Sequence, residues 1–556
     1  MSRIKLQPNW WDRLVGVFSP AWALRNAAIR GMMASGSYHG ASSTSTMLRS
    51  WNPGGGSADA DALYDLPTLR ERSRDAERNE PLAGAYIRTK VSNVIGRGLN
   101  AQSTPDAALL PKGTTPEAVK LFTQQAEAVW GFHTSGTSLD FERRASFGAL
   151  SGLAAKSTAE NGDTIALLRM RPSADSPLQT AVHLIEADRL SNPRGAIDGS
   201  EAPDRPGSII AGGVERNPRG VPVGYWIQDQ HPGDIRLTHR TWRRVSARGS
   251  LGQRLVLHMM KQDRIGQSRG VPDLARVLER LHTLTGFDES ALQAALVNSF
   301  FAAAVTNPHS SGFSPASFAG ASGETVDLND NETELNAGQI TFLKPGQDIK
   351  MIRPEHPASN YEPFVTAQMK VLSACLGVGM EVLLQHFGSS YSAARAELLS
   401  AWRFFWEERD RFIAQFAQPV WEAVIEEGIG LGLIDPPPGF FDSPLIRYAW
   451  LCSVWHGPAP VQLDPVKEAT AAKIMCDEGF ATRQESTANL TGGDWATKHP
   501  VRVREEQMRR AGGLSVEDTA ERIETRSAVM QPGGAPPPED PATTDDEAAD
   551  DEEAVA

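Results

Sequence analysis

Residues with metal-binding or nucleophilic character occur in two stretches, and each stretch lacks part of its motif. The stretch DLNDNETELNAG places Asp327, Asn329 and Asn331 at positions 1, 3 and 5 of a calcium-binding loop. Position 6 lacks the required glycine, and Gly338 stands at position 12, where a glutamate would bind the ion. We therefore favour a turn-rich loop here. The stretch GSSYS at 388–392 approaches the GxSxG nucleophile motif but ends in serine.

Other catalytic and metal-binding patterns are missing from the sequence. The dipeptide Gly-Lys occurs nowhere, which excludes a GxxxxGK[ST] phosphate-binding loop and argues against an ATP-driven motor. There is no HExxH, and the twelve histidines are scattered. His386 has the most suggestive setting, although a surface or packing role is favoured. Cys375, Cys452 and Cys476 are far apart, which argues for a reducing compartment and against a zinc or disulfide framework. We expect no catalytic residue, cofactor or metal.

The charge distribution limits the class of partner. The chain has 556 residues and a formal net charge of −13, and residues 539–556 carry nine acids and no base. No basic footprint of a sequence-specific DNA reader dominates the remainder, and the basic run at 240–248 is interpreted as a solvated surface. No apolar run approaches the ~18 residues that a membrane helix needs.

The elements that would position these residues include a β-rich region and several well-marked helices. Short apolar runs bounded by turn residues predict strands between residues 164 and 260, with a hairpin tip at Asn217–Gly220. A long aromatic helix should start near Ser392, kink at Pro419 and end at Gly428. Further along, an Asp-Pro pair at 464–465 and Thr482 with Glu485 are typical of helix starts.

One helical arrangement is unusual. A helical region ends in an insert rich in turn residues, and a second helix follows that insert. Between this second helix and the long aromatic helix lies a short, partly apolar loop with Gly377 and Gly379 as possible hinges. The helices that flank the insert should pair antiparallel, so a subunit of this kind could line a ring with the loop pointing inward.

The sequence resembles the portal proteins of tailed bacteriophages, of the lambda-like type. Several motifs carry the resemblance in order over about residues 38–500. They are YHG with LRSWNP near the N-terminus, SRDAERNEPLAGAYIRTKVSNVIGRGLN, IEADRLSNP, DRIGQSRGVPDLARVL, FLKPGQDIKMIRPEHPASNYEPF, SSYSAARAELL and LDPVKEATA.

The resemblance implies an α+β, mostly helical portal fold that forms a ring oligomer. Its parts, in chain order, would be a flexible N-terminal arm (1–60), an α+β wing (61–265), the first stem helix region (266–307), a small β-containing clip (308–354), the second stem helix (355–377), a tunnel loop (378–391), a long kinked helix with a wing and crown connection (392–460), crown helices (461–530) and a disordered acidic tail (531–556).

The resemblance also implies a function and a set of partners. The chain would form a ring of twelve subunits at one capsid vertex of the virion, assembled in the host cytoplasm. It would nucleate procapsid assembly with the major capsid and scaffold proteins and dock the large subunit of terminase. It would pass double-stranded DNA non-specifically during packaging and ejection, and bind head-completion or adaptor proteins. No membrane partner is expected.

Two sets of residues follow from this assignment. The DNA-facing tunnel loop would comprise Gly377, Gly379, Met380, Glu381, Val382, Leu383, Leu384, Gln385, His386, Phe387 and Gly388. Stem packing would involve Leu292, Ala295, Leu296, Phe300, Tyr361, Val365, Met369 and Leu372. An ordinary packed connection between helices remains the alternative for the loop.

Two other functions remain open. One is a different structural protein of the virion, such as a head–tail adaptor or minor capsid protein, although adaptors are much shorter. The other is an unrecognised hydrolase, which would need a catalytic constellation that the sequence does not contain. We expect the chain not to be an enzyme.

Overall fold

The computed structural model describes residues 46–47, 50–51, 53–203, 205–235, 240–300, 304–305, 341–342, 361–460 and 464–512, without the side chains of 297–300, 304–305 and 341–342. Most of the predicted arm, nearly all of the predicted clip and the whole acidic tail lie outside these residues. The calcium-like stretch and the side chain of Phe300 lie outside them as well.

Helices make up most of the described structure, and their starts follow local signals. Thr115 and Asp464 accept hydrogen bonds from the first turns of their helices, each with a proline at the helix start. No helix in the described ranges has the length and apolarity needed to cross a membrane. In chain order the helices are α1 Ala58–Ala62, α2 Leu66–Asn79, α3 Pro81–Val94, α4 Pro116–Ser135, α5 Phe147–Asn161, α6 Leu278–Phe300, α7 Tyr361–Leu376, α8 Met380–Leu384, α9 Tyr391–Phe412, α10 Gln418–Gly430, α11 Pro444–Leu451, α12 Pro465–Asp477, α13 Arg483–Thr491 and α14 Trp495–Ala511.

The described strands form four sheets. Five strands form an antiparallel meander in the order β4-β5-β6-β7-β8, three form a sheet in the order β3-β2-β9, and the other strands pair as β1 with β12 and β10 with β11. In chain order the strands are β1 Asn100–Ser103, β2 Asp163–Met170, β3 Thr180–Ile185, β4 Ser200–Ala202, β5 Arg205–Ala211, β6 Val214–Arg216, β7 Pro222–Gln228, β8 Trp242–Ser246, β9 Val256–Met260, β10 Ala304–Val305, β11 Thr341–Phe342 and β12 Ser453–His456.

The chain divides into two compact units. Unit 1 takes residues from 1–84, 157–167 and 184–357, and unit 2 takes residues from 85–156, 168–183 and 358–556. The core of unit 1 lies between the two larger sheets, where alternating strand residues interdigitate. Its buried members are Ile165, Leu167, Ile185, Leu190, Val214, Tyr225, Ile227 and Val256.

Unit 2 is built around a group of aromatic side chains. Trp130 meets Phe147, Trp421 and Trp455 edge-on, at ring-centroid distances of 5.0, 5.4 and 5.7 Å. Phe416 stacks on Phe147 at 6.0 Å. Such tilted and edge-to-face pairs bury large apolar areas with favourable quadrupole geometry. This cluster joins α4, α5 and α10 to the β1–β12 pair.

Most of the local elements predicted from the sequence are present in the structure. The predicted strands are confirmed as β2, β3 and β9, and the predicted hairpin tip closes through a hydrogen bond of 2.8 Å from Gly220 N–H to Asn217 O. The capping box of Thr482 with Glu485 is confirmed. The end predicted at Gly428 is wrong, because α10 continues to Gly430.

The kink predicted at Pro419 takes a different form. A π-helical turn over Ile413–Ala417 separates α9 from α10, and Pro419 lies in the first turn after it. The backbone stays helical through Phe412, Ala417 and Gln418, so Pro419 lies within one continuous helical path. Its ring and missing N–H exclude the ordinary bond to the carbonyl four residues back, and the irregularity falls in the residues before it.

Candidate DNA-facing loop

The predicted tunnel loop begins where α7 ends. Gly377 has φ +75°, and the N–H of Val378 donates to the carbonyl of Ser373 at 3.3 Å. This is the six-residue hydrogen bond of a Schellman C-cap, in which glycine adopts the left-handed conformation without steric cost. A Cβ on Gly377 would also lie 3.2 Å from the ring of Phe404. The first glycine therefore ends the helix and turns the chain.

The residues after this turn form a short helix where the sequence predicts an open loop. Met380–Leu384 is helical, and Val378, Val382 and Leu383 are 1%, 7% and 4% exposed. The apolar residues of this stretch are buried within unit 2 and thereby gain the hydrophobic free energy that an open loop would forgo. The helix ends at Gln385, which has φ +54°, a value uncommon for a residue with a side chain.

Two carboxylates hold the short helix in place. Glu397 on α9 accepts a hydrogen bond of 2.7 Å from the N–H of Glu381. The carboxylate of Glu381 in turn accepts bonds of 2.9 Å from both the N–H and the hydroxyl of Ser389. We call this set of contacts among Glu381, Ser389 and Glu397 the latch. The bonds from Ser389 to Glu381 close residues 381–389 into a small loop, and the bond to Glu397 fixes this loop to α9.

The second glycine is required by the latch. A Cβ on Gly379 would lie 2.1 Å from Glu397 Oε1 and 2.2 Å from its Cγ, so Glu397 could reach Glu381 only by moving. Gly379 itself has φ −60°, which any residue can adopt. Gly388 differs again, because a Cβ there would meet only His386 Nε2, at 3.8 Å. Gly377 is therefore needed for its backbone conformation and Gly379 for the space it leaves to Glu397. Gly388 is needed for neither reason.

The latch leaves a small exposed tip. Leu384 and Phe387 are 40% and 50% exposed, and Gln385, His386 and Gly388 are exposed beside them. No lysine or arginine occurs between Gly377 and Ser390. Of the predicted DNA-facing residues, Gly377 and those of the tip, Leu384–Gly388, are exposed. Whether they face DNA stays a prediction.

The predicted stem-packing residues fall into two environments. In unit 1, Leu292 and Leu296 on α6 are 63% and 50% exposed, and Ala295 is half-buried. In unit 2, Tyr361, Val365 and Met369 on α7 are half-buried. Leu372 is the buried member of the set, at 2% exposed. The antiparallel pairing of the two stem helices stays a prediction, and so does a contact of α6 with another subunit.

A buried ion cluster in unit 1 was not foreseen from the sequence. Asp163 is fully buried, and its carboxylate oxygens pair with Nη2 of Arg70 at 2.8 Å and with Nε of Arg269 at 2.6 Å. The Nε2–H of His258 and the N–H of Gly270 donate to the same carboxylate at 3.1 and 3.2 Å. Burial alone would raise the pKa of Asp163, but Arg269 and Arg70 outweigh it and hold that pKa far below its usual range.

The arginines of this cluster are almost fully satisfied. The five N–H donors of Arg269 go to Asp163 twice and to the carbonyls of Ala187, Leu190 and Gly212. Burial lowers the pKa of Arg70 to about 10, so it remains charged at neutral pH. The cluster thus ties α2, β2 and the loops of unit 1 together.

Two glycines permit this arrangement. A Cβ on Gly270 would lie 1.9 Å from the carbonyl oxygen of Gly162, and Gly162 itself has φ +87°. The signal in the sequence was therefore a glycine beside each partner, in the runs NGD and SRGVPD, but nothing local relates one run to the other.

One group of side chains in unit 1 has a metal-like composition. Glu186, Asp188 and His231 bring their ligand atoms close together. The guanidinium of Arg74 already lies against both carboxylates, 3.4 Å from Glu186. Burial would raise the pKa of Asp188, but the hydrogen bond and charge of Arg74 lower it. Because an arginine balances these acids, the group needs no cation, and the prediction of no metal stands as a prediction.

Comparison with known proteins gives consistent matches over most of the chain. Residues 44–409 match the family described as phage portal protein, lambda family. The chain is 24% identical over 496 residues to portal protein B of Escherichia phage lambda, covering 86% of this chain and 90% of that protein. It is 23% identical over 486 residues to the portal protein of Escherichia phage N15, covering 84% and 89%.

Solved structures give a weaker likeness. A chain from the virion of a native gene transfer agent particle aligns with a TM-score of 0.37 at 11% identity, covering 76% of this chain and 92% of that chain. A likeness of this size supports no statement about the present chain.

Proposed function

The chain belongs to the lambda family of phage portal proteins, and from this premise we propose that it forms the ring at one capsid vertex through which double-stranded DNA enters and leaves the head. The observation that carries the proposal is the family match over residues 44–409, which contains the predicted wing, stem, clip and tunnel loop together.

The ring would be a homo-oligomer, with twelve subunits as the expected number. Its partners would be the terminase large subunit during packaging, head-completion or adaptor proteins afterwards, and capsid and scaffold proteins during assembly. The chain itself would perform no catalytic step. In particular it would not be the ATP-driven motor, since its sequence contains no Gly-Lys dipeptide for a phosphate-binding loop.

Within this ring, the tip Leu384–Gly388 is the part of the tunnel loop that would contact DNA. It combines two exposed apolar side chains with neutral polar ones and has no lysine or arginine. Contacts to phosphate by cations release counterions and bind tightly, with a steep dependence on salt. A tip without cations would touch passing DNA without gripping it, as sliding requires.

The latch would set the resting position of this tip. Its hydrogen bonds are made by partly or fully exposed groups, so each is weak in water and reversible. A loop held by a few such bonds can change position as DNA passes, whereas Val382 and Leu383 keep its base packed.

Electron microscopy of the purified protein tests the oligomer. We expect rings with a central channel wide enough for a duplex, and separate globular particles would refute the proposal. Small rings without a stem would favour the adaptor alternative. Addition of the ring to a packaging reaction with procapsids lacking a portal should restore DNA uptake, and a ring that forms but restores nothing would refute the packaging role.

A further inference from the structure

The last described helix, α14, presents a row of positive charge. None of its side chains is buried. Lys498, Arg502 and Arg509 are all exposed and follow the spacing i, i+4, i+11, which places them on one side of the helix. Glu505 and Glu506 flank the row on that side, and Glu506 lies 3.7 Å from Arg510. Lys498 Nζ also donates to the hydroxyl of Thr491 at 2.6 Å. Arg504 points to the opposite side and is equally exposed. We call the row of Lys498, Arg502 and Arg509 the cationic stripe.

The complementary charge lies further along the same chain. The described structure ends at Gly512, directly after α14. Residues 539–556 carry nine carboxylates and no base. A tether of 26 residues, the number from 513 to 538, spans about 30 Å on average for a random-coil chain. The helix itself is 17 residues long, which corresponds to about 25 Å. The acidic segment can therefore reach every cation of the stripe.

We propose that residues 539–556 dock on the cationic stripe of α14 in the same chain. Individual exposed ion pairs are weak. Here, however, many acids face three cations through a tether that gives an effective concentration in the millimolar range. The same stripe would otherwise attract the phosphates of nucleic acid, and the docked segment covers it. The contact is electrostatic, so it weakens as salt shortens the screening length.

The proposal can be tested by chemical coupling of amines to carboxylates with a carbodiimide. Lys498 is the single lysine in α14, and Lys473, exposed on α12, serves as an internal control. Mass spectrometry of the full-length protein should find Lys498 joined to acids of 539–556, and Lys473 much less often. The coupling at Lys498 should be strong at about 0.05 M salt and weak at about 0.5 M.

A pair of matched variants makes the test specific. Arg502→Glu retains Lys498 but reverses one charge of the stripe, so coupling at Lys498 should fall several-fold. Arg504→Glu makes the same charge change on the opposite side of the helix and should leave coupling near its original value. Equal effects of the two variants, or equal coupling at Lys498 and Lys473, would overturn the proposal.

A mixture of isotopically heavy and light chains identifies which copy supplies the tail. Coupling within chains of one label supports docking in the same chain, whereas mixed heavy–light products would show that a neighbouring copy occupies the stripe and would overturn the assignment. Neither readout depends on DNA packaging, so the result is separate from the success or failure of the proposed function.

Discussion

Replacement of Asp163 by alanine should destabilise unit 1 strongly and leave unit 2 intact. Asp163 is 0% exposed, and its partners Arg70 and Arg269 are 4% and 2% exposed. Removing the carboxylate leaves the buried guanidinium of Arg269 without its counter-charge and leaves Arg70 with only Asp188, at 3.5 Å. Breaking a buried pair in this way costs about 3–5 kcal/mol, because the remaining charge loses its partner but stays out of water. A cost of this size is a large part of the stability of most domains.

Hydrogen exchange read by mass spectrometry reports the two units separately. If unit 1 opens as a whole, its slowest amides, in β2 and β9, should exchange about 150- to 5,000-fold faster in the variant, since each 1.36 kcal/mol corresponds to about a factor of ten. Peptides from α4, in unit 2, should be unchanged. Asp61→Ala is the matched control, because its exposed pair with Arg264 should contribute less than about 1 kcal/mol.

The same cluster predicts a dependence on pH. The pKa of Asp163 is lowered in the folded state, so its stabilising effect is complete above the unfolded pKa of about 4. It is then lost progressively as the pH falls below that value toward the folded pKa. Acceleration of less than about tenfold in Asp163→Ala, or equal acceleration in Asp61→Ala, would refute the view that this cluster stabilises unit 1.

Three further predictions concern the loop, the ring and unit 2. Gly379→Ala should open the latch while rings still form, so DNA uptake or retention should change in a packaging assay. Gly388→Ala is the control, because that position has room for a Cβ, and it should behave like the parent protein. Equal behaviour of the two variants would argue against the latch. Ala295→Trp should overpack a subunit contact at a cost of about 1–3 kcal/mol per site, so native mass spectrometry should find monomers or open oligomers. Gln293→Trp, on the other side of α6, should leave rings intact. Intact rings in both variants would show that the face of α6 with Ala295 lies outside the interface. Burial lowers the pKa of His133, so unit 2 should lose stability as the pH falls below about 6.5. His133→Gln should reduce the dependence of the melting temperature of unit 2 on pH in this range. An unchanged dependence would contradict the prediction.

Elements whose causes are local could be predicted from the sequence. The start of α12 rests on Asp464 and Pro465, and the capping box of α13 on residues three apart. The hairpin tip at Asn217–Gly220 depends on turn residues within four positions. Hydrogen bonds between near neighbours need no knowledge of the rest of the chain, which is why these predictions are confirmed. The portal assignment was also available, since it rests on motifs in order.

Contacts between residues far apart in the chain became visible in the folded structure alone. Asp163 pairs with arginines 93 and 106 positions away, and nothing in the pattern around either arginine identifies its partner. The sequence predicted an open loop after α7, because the apolar run there is too short for its periodicity to indicate a helix. In the fold, Val382 and Leu383 find a surface to bury against, and Glu397 caps the stretch from 16 residues away. Burial and long-range charge pairing depend on where the chain returns in space, so the sequence could mark these residues as candidates but could not bring them together.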